Sequence, residues 1–138
     1  MTISSKQGAL LIASLASAAA LAGCGESVTT NNFQGEQHEV ASRVSSFQKH
    51  VTEASQKKIC SEDLSGPLIA RIRASGKGCQ EALKEQLKNV EDVSLSIKAV
   101  TVHGKSATAT VKSVRNGKTV PSTLTLVKEG KGWKISGV

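Results

Sequence analysis

The sequence has no tyrosine, one tryptophan and two phenylalanines in 138 residues. Single-stranded nucleic acids are held largely by stacking bases on aromatic faces. With only Phe33, Phe47 and Trp133 available, a base-stacking surface is excluded, and a ring-stacking carbohydrate platform is disfavoured. Cysteine is also sparse: Cys24, Cys60 and Cys79. None of them forms a C-x-x-C pair, which argues against a dithiol redox centre. No further ligands stand at workable spacing for zinc. No stretch after Cys24 is long and apolar enough for a transmembrane helix. Gly104-Lys105-Ser106 copies the tail of a phosphate loop. Ala99 stands where that loop needs its first glycine, and no helix follows, so the match is rejected. Nothing in the chain implies a metal or a cofactor.

What is present begins with a leader. Lys6 is the only charge before Cys24, and Gly8 to Leu21 is an apolar run rich in Ala and Ser. A charged start, a short apolar middle and small residues before a cut site describe a secretory signal peptide. Leu21-Ala22-Gly23-Cys24 then resembles the lipobox of bacterial lipoproteins. The resemblance implies cleavage before Cys24 and acylation of its thiol and new amino group, palmitate included. The alternative is an ordinary secretory signal with a chance cysteine. Each buried CH2 contributes about 0.8 kcal/mol, so two or more chains suffice to hold a protein at a membrane. The expected location is therefore extracytoplasmic, with the membrane as a partner through Cys24. The expected organisation is 1–23 signal peptide, 24–35 lipidated tether and 36–138 a single domain.

Lys6 leaves with the leader, so the formal charge falls from +7 to +6. Acidic and basic residues are interleaved, which describes a solvated surface; attraction to anionic headgroups or wall polymers is the functional alternative. With Cys24 committed to lipid, Cys60 and Cys79 remain as an even pair in an oxidising compartment, and a disulfide is expected between them.

Periodicity orders the domain. Val40, Val44, Phe47, Val51 and Ala54 recur at helical spacing, predicting a helix over 36–58 with one apolar stripe. Pro67 suits the first turn of a short helix through Ala74. A further helix is expected from Cys79 to about Lys88. The period then changes to two. Val93, Leu95 and Ile97 alternate with polar residues, and Val100 and Val102 fall on the opposite parity. That phase shift predicts a β-bulge near Ala99-Val100. Ala107, Ala109 and Val111 form a second strand, Leu124 and Leu126 mark a third, and Trp133 and Ile135 a fourth. Turns at Gly104-Lys105, Asn116-Gly117 and Gly130-Gly132 join them into an antiparallel meander. Helices followed by a one-sided sheet mean an α+β fold.

This order, with a cysteine after the long helix, a second opening another helix and bent strands ending Gly132-Trp133-Lys134-Ile135, resembles the nuclear transport factor 2-like superfamily over 36–138. More narrowly it resembles that superfamily's small bacterial lipoproteins. Cystatin-like relatives share the plan of a helix on a curved sheet. The resemblance implies N-terminal helices packed on a curved four-stranded sheet, with a cone between them. It also allows a homodimer through the sheet. The expected cone lining is Val44, Phe47 and Val51 on the helix, with Val93, Leu95, Ile97, Val111, Leu124 and Leu126 on the sheet. None of these titrates, and a general base must reach the proton it removes. The expected function is therefore non-enzymatic. It is either binding of a small apolar ligand in the cone or docking of another envelope protein through Thr108, Thr110, Lys112, Thr123 and Thr125 on the outer sheet face. The alternative is a small isomerase, dehydratase or hydrolase. His38 and His50 are expected on the solvated side of the helix. His103 points outward if the bulge is real. Glu62 and Asp63 are expected to start a helical turn.

The address has a direct test. Cys24→Ala should move the protein from the membrane to the soluble fraction, and acyl mass should be missing from its N-terminus.

Overall fold

The computed structural model describes residues 30–90, 93–115 and 117–138. The expected leader, Cys24 and the first part of the expected tether lie outside these, as does Asn116 of the expected hairpin. The elements run α1 (Glu36–Thr52), α2 (Gln56–Lys58), a π-helical turn (Ile59–Asp63), α3 (Gly66–Ala74) and α4 (Cys79–Leu87). Strands β1 (Ser94–His103), β2 (Ser106–Arg115), β3 (Lys118–Glu129) and β4 (Gly132–Gly137) follow. Among the described residues no helix is long and apolar enough to cross a membrane.

The apolar stripe of α1 faces inward as its spacing dictates. Val40, Ala41 and Val44 are fully buried, and Glu36 and Glu39 in the first turn suit the positive end of the helix dipole. The expected helix over 36–58 is, however, interrupted. It stops at Thr52, and Ala54 turns into the left-handed region with φ 49°. The amides of Ala54 and Ser55 close back on Val51 and His50. Left-handed closure is a common way for a helix to end. Ala54 is consequently exposed instead of continuing the buried stripe. The chain re-enters helix as α2 and widens at once into the π turn, where the Leu64 amide donates to the Ile59 carbonyl at 3.1 Å.

Segment 59–65 is tied on three sides. The Ser65 amide donates to the Ile135 carbonyl at 2.8 Å, and Leu64 bridges Ile135 in parallel. Lys134 Nζ donates to the Glu62 carbonyl. Cys60 is bonded to Cys79 at the start of α4. Ser65 also opens α3: its Oγ accepts from the Leu68 amide at 3.3 Å, and Pro67 sits in the first turn. That arrangement satisfies an orphan helix donor and uses proline where no donor is lost.

The sheet is the expected meander, in the order β1-β2-β3-β4, all antiparallel. The bulge falls between Ile97 and Ala99. It changes the strand's parity, so Leu95 and Ile97 before it and Val100 and Val102 after it share the inner face. A bulge also bends its strand. Gln37 Nε2 donates to the Val100 carbonyl at 3.1 Å, linking the start of α1 to β1 just past the bend. Gly117 at φ 73° and Gly130 at φ 61° hold the left-handed positions of their turns. Ala109, Val111, Leu124, Leu126 and Ile135 meet the α1 stripe and Ile59 in one core. Within the stretch expected as tether, a turn from Thr30 to Phe33 packs the half-buried Phe33 against that core.

The disulfide closes a loop with a sequence separation of 19 residues. Chain entropy makes such a link worth about 3 kcal/mol. Replacing both Cys60 and Cys79 by serine should lower unfolding free energy in urea by roughly that amount. Thiol counting on the denatured, unreduced native protein should find neither thiol free.

Candidate functional site

Three places in the fold bring chemistry-bearing or apolar groups together. The first is the expected cone. Val44, Val111, Leu124 and Leu126 are all buried, and with Val40, Ala109 and Ile135 they fill its narrow end as core. Phe47, Val51, Leu95 and Ile97 are half-buried and pack against that core, and Val93 is half-buried just before β1. Of the expected lining, four residues are solid core, and five are half-buried at its margin.

The second place departs from expectation. His50 is buried rather than solvated, and Glu62 and Asp63 end the π turn instead of starting a helical one, with Asp63 fully buried. Asp63 Oδ2 lies 2.7 Å from His50 Nδ1, and Arg43 Nη1 donates to Asp63 Oδ1 at 3.0 Å. An ionised carboxylate can only accept, so Nδ1 carries the ring proton. The placement follows from the helix: Arg43 and His50 stand seven residues apart, two turns of α1, so both point toward the π turn. The wide turn then sets Asp63 opposite them. An isolated buried carboxylate is costly, and paired, hydrogen-bonded cations offset that cost. Here both oxygens are engaged.

The third place is a cleft of about 270 Å3 between α1 and the β3–β4 turn. His38, Ser42 and Ser46 follow one another along the helix at four-residue steps, with Glu39 and Arg43 beside them. Lys131, Gly132 and Trp133 form the opposite wall. Trp133 is 2% exposed. Its Nε1–H and the Nε–H of Arg43 are buried without an acceptor among the described residues. A buried donor left unpaired costs about 1–3 kcal/mol. Behind this wall Lys128 Nζ lies 5.6 Å from the centre of the Trp133 ring and pairs with Glu36. That hydrogen bond, joined by the charges of Glu36 and Glu39, raises the Lys128 pKa against the opposing effect of burial. Its contribution is complete below the ordinary lysine range and is lost only as pH rises through the raised value.

His103 is exposed at the end of β1, paired with Ser106 on the outer face, as the bulge requires. Thr108, Thr110, Lys112, Thr123 and Thr125 are likewise exposed. His38 is exposed on α1 as expected. Among the described residues no group of three or more His, Cys, Asp or Glu side chains is placed to hold a metal.

No family model matches the chain, and no curated protein matches it. Solved structures do. A de novo designed NTF2 fold protein, NT-9, aligns with TM-score 0.51 at 15% identity, covering 75% of this chain and 86% of that one. A substituted Rd1NTF2_05 chain aligns with TM-score 0.50 at 18% identity, covering 74% and 96%. The domain has an NTF2-like fold. At these identities the likeness concerns architecture, and function must come from the site itself.

Within this NTF2-like fold the buried ion cluster was hidden from sequence periodicity. His50 lies one residue from Val51, at the edge of the apolar stripe. That position was the available signal. Asp63 gave none, because a π turn has no apolar period to place it. Arg43 reads as an ordinary surface charge until Asp63 is opposite it.

Removing the carboxylate's charge tests the cluster. Asp63→Asn keeps the side chain's shape but leaves Arg43 without its counter-charge. Breaking a buried pair this way costs about 3 kcal/mol, toward the low end because Arg43 remains partly solvated. Urea unfolding should show that loss, and replacing Arg43 and Asp63 together by apolar residues of similar volume should cost less.

Proposed function

We propose that this chain is a bacterial extracytoplasmic lipoprotein, held at a membrane by acyl chains on Cys24. Its NTF2-like domain binds a small apolar ligand, or the apolar face of another envelope protein, at the mouth of the cone. The observation that carries this reading is a set of half-buried apolar side chains at the edge of the core, which we take as that mouth. Phe47, Val51, Leu95 and Ile97 are half-buried hydrocarbon side by side with a packed core. Covering such surface gains roughly 25 cal/mol per Å2. Those side chains hold no proton acceptor and no nucleophile, so the mouth suits binding and not turnover. The lipobox-like stretch and the Cys60–Cys79 bridge support an exported, oxidised setting.

A second reading, a small isomerase, dehydratase or hydrolase, draws on the Asp63–His50 pair, since a carboxylate that orients an imidazole is a familiar base arrangement. Against it, Asp63 is also committed to Arg43 and the pair is buried.

A photo-crosslinking side chain in place of Leu95, compared with one in place of Thr110 on the outer face, separates the readings in cells. Binding at the mouth predicts a capture at 95 that is absent at 110, and that Ile97→Gln weakens. Extracted-lipid mass spectrometry then tells a small molecule from a protein. Capture at 110 alone, or at neither site, overturns the mouth as the binding surface. Turnover of any substrate abolished by His50→Gln in a folded protein would establish the enzyme instead.

A further inference from the structure

We propose that the cleft between α1 and the β3–β4 turn is a binding site for a carboxylate. This goes beyond the function proposed above and depends neither on the lipid anchor nor on the mouth of the cone. The site gathers several donors, with Glu39 the carboxylate in its lining. Trp133 is almost wholly buried, and its indole N–H meets no acceptor among the described residues. The Nε–H of Arg43 is in the same condition, while Arg43 Nη1 is held at 3.0 Å by Asp63. Both side chains line the cleft. Asp63 fixes the guanidinium on one side and leaves its other edge for a ligand. Ser42 and Ser46 bring hydroxyls to the same cavity, and Lys131 brings an ammonium group.

Charge decides the class of oxyanion. Arg43 is already paired with Asp63, and Glu39 at the cleft offsets Lys131. Little net positive charge remains, which disfavours a phosphate dianion. A singly charged carboxylate has two planar oxygens, and these match one guanidinium edge and one indole donor. The cavity of about 270 Å3 lies just below the range of drug-sized ligand pockets. It fits a small organic acid or the terminal carboxylate of a peptide.

Trp133 is the only tryptophan, so its indole N–H gives one identifiable signal in the 15N-labelled full chain in detergent micelles. Acetate should shift that signal downfield and saturate. Chloride at matched ionic strength should not, and inorganic phosphate should bind more weakly. Glu39 and Lys131 are exposed, so their substitution leaves the core intact. Lys131→Gln should weaken acetate binding roughly two- to fivefold, and Glu39→Gln should tighten it by a similar factor. An N-acetyl dipeptide acid that binds while its amide does not assigns the site to a peptide terminus. Binding of acetate with the dipeptide excluded assigns it to a free acid. A shift that follows ionic strength alone, a tighter response to phosphate, or midpoints unmoved by both substitutions would overturn the proposal.

Discussion

The carboxylate of Asp63 is the constraint around which the helical layer is organised. It has no exposed surface, and it holds Arg43 and His50 of α1 through separate oxygens. A buried charge persists only where partners and hydrogen bonds compensate its lost hydration. The π turn must therefore sit against two particular turns of α1. The break at Ala54 makes this geometry available, because it lets the chain reverse onto the helix it has just left. Without that reversal, residues 55–63 would continue the line of α1 and Asp63 would stand in solvent.

The same short segment carries the fold's other long-range links. Ser65 and Leu64 join it to β4 through Ile135, and Cys60 joins it to α4. Ile59, fully buried, places an apolar anchor in the core beside these polar ties. Helices, disulfide and sheet thus converge on seven consecutive residues. This accounts for an irregular π turn at a position where a plain helix would align fewer of these groups. Exposed pairs such as Lys77 with Glu85 add little beside it, since solvent screens them.

The sheet supplies the complementary surface. Its bulge between Ile97 and Ala99 returns Val100 and Val102 to the inner face and turns His103 outward. One extra residue therefore decides which titratable group could have entered the cone. The small side chains Ala107 and Ala109 let α1 and the sheet approach closely and fill the narrow end. Phe47 and Val51 in the second half of α1, with Leu95 and Ile97 of β1, stay half-covered.

Much of this was legible from residue order. Period-two alternation, Gly-marked turns and the parity change after Ile97 determine four antiparallel strands and a bulge, because side chains on a strand must alternate faces. The 3.6-residue stripe determines α1, and two cysteines left in one domain determine the bridge. The expected lipidation at Cys24 rests on the pattern of the residues before it, which lie outside the described ones. Tertiary structure alone decided the rest. Whether the cone is filled depends on how side chains from α1 and three strands add up in volume, which no single segment records. Whether His50 and Arg43 face solvent or an acid depends on where the chain after Ala54 returns. The pairing of α1 with the β3–β4 turn depends on residues about ninety positions apart. Local pattern fixes which face of an element is apolar; only packing fixes what that face, and its polar edge, will meet.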